Sequence, residues 1–352
     1  MAQGLRLLSH MLEDSRCQTP PMSTPSAVSS EKLRSTFRWM LLARTLEDRI
    51  ASLYRAGGSI VGGVYLGRGQ EAFSGALGAC LSKKDGDIFG GLIRDMSGRL
   101  AFGEPLLDPV RAYLGSAAGP MRGRDGNIHR GRPQEGLPAM ISHLGALVSV
   151  VTGMLLARRL QGKAPCVGAT SIGDGATSTG SFHEAVNMAA VEGLPLVVAV
   201  ANNQYAYSTP TDRQYACENL VDRARGYGIQ GYVVDGTDLR ACLETFTEAV
   251  AAARATGKPQ MVVGKLLRLA GHGEHDDASY VDPALKEEPS GRDPIDVATA
   301  YFDEMEVRKW QEEALKQVAE AIAKAQNEAG PDAGHETWLA LASEHLVEGR
   351  RL

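Results

Sequence analysis

No stretch of this chain is apolar for long enough to span a bilayer, so nothing in it predicts a membrane protein. Cysteine is scarce and scattered. Cys17, Cys80, Cys166, Cys217 and Cys242 show no paired spacing, which excludes a disulfide scaffold and a zinc ribbon and predicts reduced thiols in a cytoplasmic protein. Positive charge is not in excess either: the net charge is −5, which leaves no footprint for nucleic acid as the main partner. Aromatics make up only 6% of the residues against 40 glycines, a balance that suits an α/β fold with tight turns from strand to helix. No Gly-x-Gly-x-x-Gly follows the first strand, so the dinucleotide-binding fingerprint is missing as well.

What is present is a long alternation of helical and apolar segments. With 352 residues, 43% of them hydrophobic, the chain can bury one large core, with or without a small second domain. Residues 1–29 are rich in Ser, Thr and Pro and are expected to be flexible. They lack a signal-peptide core, Glu13 and Asp14 argue against a mitochondrial presequence, and Met22 is an alternative start. Periodicity predicts helices over 31–55, 70–82, 145–161, 181–192, 218–225, 239–256 and 303–327, with the 145–161 helix apolar enough to be buried. Apolar runs predict strands over 166–172, 194–201, 232–234 and 260–267, with a short one within 83–91. Two long polar loops, 120–138 and 270–279, are candidates for function because loops of that length seldom serve only as connections. The expected organisation is residues 30–295 as the functional domain and 296–352 as a helical extension.

The most informative stretch is Ile172-Gly173-Asp174-Gly175, followed about thirty residues later by Ala201-Asn202-Asn203. Each ends an apolar strand, and the helix between them completes a βαβ unit. In open parallel sheets ligands sit beyond the carboxyl ends of the strands, so Asp174 and Asn203 are expected to emerge close together. A carboxylate and an amide carbonyl are the hard oxygen donors that Mg²⁺ takes alongside phosphate oxygens. Gly173 and Gly175 let the backbone approach a diphosphate, and the next helix is expected to offer its N-terminal N–H groups. Gly-Asp-Gly alone arises by chance in roughly one chain in four of this length; adding Asn-Asn at this spacing lowers that to about a few in a thousand. His183-Glu184 and His275-Asp276-Asp277 fill no complete metal motif; the first reads as a helix beside the site and the second as a solvated loop.

On these residues the chain resembles the alpha subunit of the thiamine-diphosphate-dependent decarboxylating component of 2-oxo acid dehydrogenase complexes, over about residues 32–295. The resemblance implies a thiamine-diphosphate-binding fold, a mostly parallel sheet with helices on both faces. It implies Asp174, Asn203 and the Tyr205 backbone as Mg²⁺ ligands, and Gly173, Gly175 and Ala176 along the diphosphate. Arg94, in Ile93-Arg94-Asp95-Met96, is matched to an arginine on the terminal phosphate. Ser142 and Leu144 correspond to positions around the aminopyrimidine. His129, in Gly126-Asn127-Ile128-His129, and His272, in Gly271-His272-Gly273, are matched to two active-site histidines.

The same resemblance implies oxidative decarboxylation of a small 2-oxo acid with acyl transfer to a lipoyl group, an oxidoreductase activity with a disulfide acceptor. It implies a beta subunit that supplies the activating glutamate in an α₂β₂ assembly, and a lipoyl-bearing acyltransferase. Some positions depart from the family. Ile93 replaces a tyrosine, Met96 a histidine of pyruvate-type members, Ala146 and Leu147 a Thr-Gln pair that binds an alkali cation, and Gly273 a phosphorylated serine. The segment 202–211, with Gln214-Tyr215 and Gly226-Tyr227-Gly228 beyond, looks closer to branched-chain members than to pyruvate ones; pyruvate and acetoin are the alternatives. A single-chain decarboxylase would need a second pyrimidine domain, for which too little chain remains. A scaffold subunit that only binds cofactor is the remaining alternative.

Overall fold

The computed structural model describes residues 28–60, 62–125 and 129–335. The N-terminal segment 1–27, the Gly126-Asn127-Ile128 step and the tail from 336 lie outside the described residues.

Five parallel strands form the main sheet: β1 (Ile88–Gly90), β2 (Gly168–Gly173), β3 (Leu196–Asn202), β6 (Gln230–Asp235) and β7 (Gln260–Lys265), in the order β1-β2-β3-β7-β6. A two-stranded hairpin, β4 (Tyr205–Ala206) with β5 (Thr209–Pro210), follows β3. The helices are α1 (Ser30–Ala56), α2 (Glu71–Cys80), α3 (Met96–Phe102), α4 (Leu107–Tyr113), α5 (Ala146–Leu160), α6 (Gly180–Glu192), α7 (Arg223–Gly226), α8 (Leu239–Thr256), α9 (Pro294–Thr299) and α10 (Glu304–Gln326).

Central strand β3 shows why the sheet is covered on both sides. All seven of its residues are buried. Val197, Ala199 and Ala201 enter one core with α1, α2 and α8; Leu196, Val198 and Val200 enter the other with α5 and α6. A strand that is apolar at every position, with a side-chain period of two, has to be covered on both faces. Chain order reverses between β3 and β7: β1, β2 and β3 are laid down side by side, then the chain crosses to the far edge and returns. That reversal, with Asn202 beside Lys265 at the carboxyl ends, is where open α/β sheets leave a crevice.

The expected helices and strands form with ends shifted by a residue or two, except that the helix expected over 218–225 is confined to α7, after a 3-10 turn at Leu220–Asp222. α3, α4, α9 and the β4–β5 hairpin were not anticipated, being too short to show a period. One further expectation needs correcting. Helix α5 is buried on one side only: Leu147, Val148, Val151 and Leu155 face the core, while Val150 and Leu160 are exposed. Helix α6 starts where it was expected, within one residue, and is set apart from the Gly-Asp-Gly turn. A 3-10 turn (Gly175–Ser178) intervenes, and Thr179 caps the helix by accepting from Phe182 N–H. Helix α10 runs along α1, tying Ala314, Val318 and Ile322 to Leu42, Leu46 and Ile50. No helix among the described residues is long and apolar enough to cross a membrane.

Candidate active site

A cavity of about 280 Å³ opens at the carboxyl ends of β2, β3 and β7. Of the residues singled out in the sequence, Arg94, Leu144, Gly173, Asp174, Gly175, Ala176, Asn203, Tyr205 and His272 line it. Ser142 and His129 do not. They are hydrogen-bonded to each other, His129 Nε2 to Ser142 Oγ, on the segment that leads into Leu144, and Asp125 holds the other ring nitrogen at 3.1 Å. Gln70, Tyr207 and Arg268 line the cavity without having been anticipated. The charged residue directly after an apolar strand was a signal for Arg268; Gln70 and Tyr207 had none.

Asp174 is 1% exposed, and its recorded side-chain partner is a neutral amide, Gln214 Nε2 at 3.0 Å from Oδ2. Burial pushes its carboxyl above the usual range, with Gln214 pulling the other way. Asn203 donates through Nδ2 to Gln70 Oε1 at 2.8 Å, and its Oδ1 is buried with no partner. Asn202 is turned away, its Nδ2 donating to the Tyr215 hydroxyl at 3.2 Å. A buried acid with a neutral partner and an orphaned amide oxygen in the same recess are groups that a cation would satisfy. The Tyr205 carbonyl already accepts from Arg268 Nη1 at 3.3 Å, so it has one lone pair left to offer. No cluster of three or more His, Cys, Asp or Glu side chains suited to a metal exists among the described residues. A metal here would have to be completed by neutral oxygens and by the ligand's own.

The cationic side chains of the cavity are Arg94 and Arg268. Arg94 Nη1 donates to Leu66 O at 2.8 Å and Nη2 to His272 O at 2.7 Å. Arg268 donates to the carbonyls of Ala270, Tyr205 and Tyr207 and to the Tyr280 hydroxyl. Neither guanidinium has an ion-pair partner among the described residues. Burial, followed by the repulsion of Arg268, brings Arg94 down to about 10, which leaves it charged near neutrality. Two cations held by neutral groups, carbonyls and the Tyr280 hydroxyl, make an electropositive recess suited to a phosphate group.

His272 sits edge-on between Tyr207, with ring centroids 4.5 Å apart, and Tyr65, at 5.5 Å. Burial and the two arginines hold it down at about 4, so the imidazole is neutral at pH 7 and serves as a hydrogen-bonding group rather than a cation. Asp276 organises this loop by accepting from His272 N–H at 2.6 Å and from the Tyr280 hydroxyl at 2.6 Å. The stretch expected to be a solvated loop therefore braces His272. The other tempting pair also has a structural partner: His183 is hydrogen-bonded to the Tyr227 hydroxyl.

Backbone strain gathers here. Gln204 and Tyr207, on either side of β4, have φ of 74° and 56°, and non-glycine residues in that region cluster at functional sites. Gly173 has no atom within 4 Å of where a Cβ would stand, so its missing side chain leaves open space in the cavity wall. That space, the orphaned Asn203 oxygen and the paired arginines fit a diphosphate with a divalent cation.

Residues 38–334 match the family described as Dehydrogenase E1 component. The alpha subunit of acetoin:2,6-dichlorophenolindophenol oxidoreductase from Cupriavidus necator is 34% identical over 253 residues, 72% of this chain and 75% of that protein. The 2-oxoisovalerate dehydrogenase subunit alpha of Bacillus subtilis is 34% identical over 271 residues, 76% and 81% of the two chains. The pyruvate dehydrogenase E1 component subunit alpha of Rhizobium meliloti is 32% identical over 317 residues, 88% and 90%.

Proposed function

Because this chain belongs to the dehydrogenase E1 component family, as an alpha subunit, we propose that it binds thiamine diphosphate with Mg²⁺ in the cavity at the ends of β2, β3 and β7 and takes part in oxidative decarboxylation of a branched-chain 2-oxo acid. The observation that carries the reading is the meeting in one recess of unpaired Arg94 and Arg268 with buried Asp174 and the free Asn203 oxygen. Asp174, Asn203 and the remaining lone pair of the Tyr205 carbonyl would hold Mg²⁺. Gly173, Gly175 and Ala176 would lie along the diphosphate, and Arg94 with His272 would take its terminal phosphate. When bound, thiamine diphosphate supplies the electron sink for breaking the bond beside the substrate carbonyl.

This chain's residues then orient and exclude. Neutral His272 offers a hydrogen bond without adding charge. Leu144, 59% exposed yet lining the cavity, presents an apolar side chain where the aminopyrimidine would rest, beside the His129–Ser142 pair. Among the described residues no glutamate lines the cavity; of its two carboxylates, Asp174 would go to the metal, and Asp95 accepts through Oδ2 from Leu92 N–H at 2.7 Å with its Oδ1 buried and unpartnered. The carboxylate that activates the pyrimidine would come from a beta subunit. The seat for it would be the exposed apolar side of α5 and α6, where Val150, Leu160, Met188 and Val191 are exposed, as Leu144 is before α5. The acyl group would pass to a lipoyl group on an acyltransferase component.

Acetoin is a second reading, supported by relatives whose names carry that substrate. The test is to purify the tagged chain with its native partner and follow reduction of an artificial acceptor with 3-methyl-2-oxobutanoate, pyruvate and acetoin, given thiamine diphosphate and Mg²⁺. The branched acid is expected to turn over fastest, and Asp174→Ala to abolish cofactor binding. Preference for acetoin or pyruvate overturns the substrate assignment; cofactor binding that survives Asp174→Ala overturns the metal site.

A further inference from the structure

The segment 66–70 joins the parts of the cavity from behind. Leu66 O accepts from Arg94 Nη1 at 2.8 Å, Arg68 O from Leu269 N–H at 3.1 Å, and Gln70 Oε1 from Asn203 Nδ2 at 2.8 Å. Gly69, with φ of +93°, packs so tightly on the exit of β7 that a Cβ would stand 2.1 Å from Leu267 O. Two buried carboxyl groups hold this turn from below. Gly67 N–H donates to Glu47 Oε2 at 2.9 Å and Gly69 N–H to Glu71 Oε2 at 2.9 Å.

The two acids are not equivalent. Glu71 is paired with Arg44 at 2.5 Å, and Arg44 is also bonded to Asp293. Glu47, 3% exposed, has no ion-pair partner among the described residues, and its Oε1 is buried without a hydrogen bond. A Cβ added to Gly67 would lie 3.2 Å from that oxygen and 2.4 Å from Arg94 O, so Glu47 and the Arg94 backbone both close on Gly67. An isolated carboxylate in such a place is costly, whereas a neutral carboxyl is not.

We propose that Glu47 is a positioning residue that works as an uncharged acid: it holds the 66–70 turn, and through Leu66 the Arg94 guanidinium, in the geometry that receives an anion. Its ionisation puts a negative charge beneath the phosphate side of the cavity and weakens binding there. This rests on the diphosphate reading above. The charged and titratable groups that face Glu47 are Arg44 on its own helix, Glu71 on α2, Arg94 before α3 and Tyr113 on α4. Burial first, and Glu71 next, push its carboxyl up to about 8 against the pull of the Gly67 N–H, Arg44 and Arg94. Arg94 stays charged to about 10, Tyr113 neutral to about 12, and His272, at about 4, is already neutral. Burial raises the Glu71 carboxyl too, with Arg44 pulling it back; of Glu47, Arg94, Tyr113 and His272, Glu47 is the one that changes charge between about pH 7 and 9. The sign follows from linkage. An acid whose folded affinity for the proton is raised contributes its full stability below the ordinary carboxyl range, and that contribution is lost as pH rises towards about 8.

The test compares full-length wild type, Glu47→Gln and Glu47→Ala, each with its copurifying partner. Calorimetry gives the Kd for thiamine diphosphate with Mg²⁺ in steps from about pH 7 to 9, and thermal melts without ligand cover the same range. Wild-type affinity is expected to fall about tenfold across this window, as one ionisation near its middle requires. Glu47→Gln should match wild-type affinity at pH 7, stay flat to pH 9, and melt higher than wild type by a gap that widens up to about pH 8 and is level above it. Glu47→Ala should bind more weakly throughout. A Glu47→Gln chain that binds more weakly at pH 7, keeps the wild-type slope or shows no melting gap overturns the proposal. Failure of wild type to bind thiamine diphosphate at any pH overturns the diphosphate reading, and the positioning role with it, while the melts still report whether Glu47 carries a proton.

Discussion

Gly173 and Gly175 flank Asp174 and differ in what they make room for. A Cβ at Gly175 would stand 2.4 Å from the Ala206 Cβ, so that glycine admits the β4 hairpin. A Cβ at Gly173 would meet nothing within 4 Å. Gly173→Ala is therefore expected to leave the melting temperature of the ligand-free chain unchanged while weakening thiamine diphosphate binding by about tenfold, ~1.4 kcal/mol. Calorimetric titration beside a thermal melt checks both halves. Gly175→Ala should lower both stability and affinity, because the hairpin that carries Tyr205 and Tyr207 has to move. At this scale the sequence already pointed to Asp174, Asn203, Arg94 and His272, since each type has a chemical reason to be there. It did not show that Arg268 would stand beside Arg94, because the two are 174 positions apart and only packing joins them.

Among the elements, the exit of β1, helix α3 and the loop that carries His129 are locked together by a buried triad. Glu104 receives Arg99 at 2.7 Å and Arg130 at 2.9 Å, all three side chains at most 3% exposed. Burial alone would raise the Glu104 carboxyl, but Arg130 and Arg99 together hold it down at about 2. Arg99 also reaches the Gly91 and Arg130 carbonyls at 3.3 Å each. Removing the acid leaves two guanidiniums buried without a counter-charge, so Glu104→Leu should destabilise the fold by about 3–5 kcal/mol, read from the midpoint of a urea titration. An unchanged midpoint would mean that water reaches these arginines. Arg130 follows His129 directly, so the same change should also loosen the His129–Ser142 pair. The 120–138 segment read from sequence as a polar loop dense in arginine. That one of those arginines is a buried anchor was not legible, because a buried and an exposed arginine look alike until their partners are known.

For the whole molecule, the unpartnered side of α5 and α6 is the feature with most at stake. Gly153 is exposed in the middle of α5, with nothing within 4 Å of its Cβ position. Gly153→Glu removes a mid-helix glycine and puts a charge on that face. The isolated chain should fold as well or slightly better, by up to about 1 kcal/mol from helix propensity, while copurification of the beta subunit should be lost. Intact copurification would place the partner elsewhere. The cavity, by contrast, should remain able to bind inorganic pyrophosphate in the isolated variant, since Arg94, Arg268 and Asp174 lie on strand ends and loops away from the exposed helix face.

The sequence by itself determined the parallel α/β architecture, because apolar strands alternating with amphipathic helices have one economical packing, and the location of the site, because ligands gather at the carboxyl ends of such strands. It also pointed to Arg94, Asp174, Asn203 and His272, which the fold brings to one cavity, since residue type sets donor and charge. Tertiary structure decided the rest: that Ser142 and His129 pair with each other outside the cavity wall, that Arg268 doubles the positive charge at Arg94, and that Glu47 stands without a counter-ion beneath the 66–70 turn. Each of these depends on which distant groups share a low-dielectric space, and burial, which no single residue's identity reveals, sets whether a charge there is kept, paired or lost.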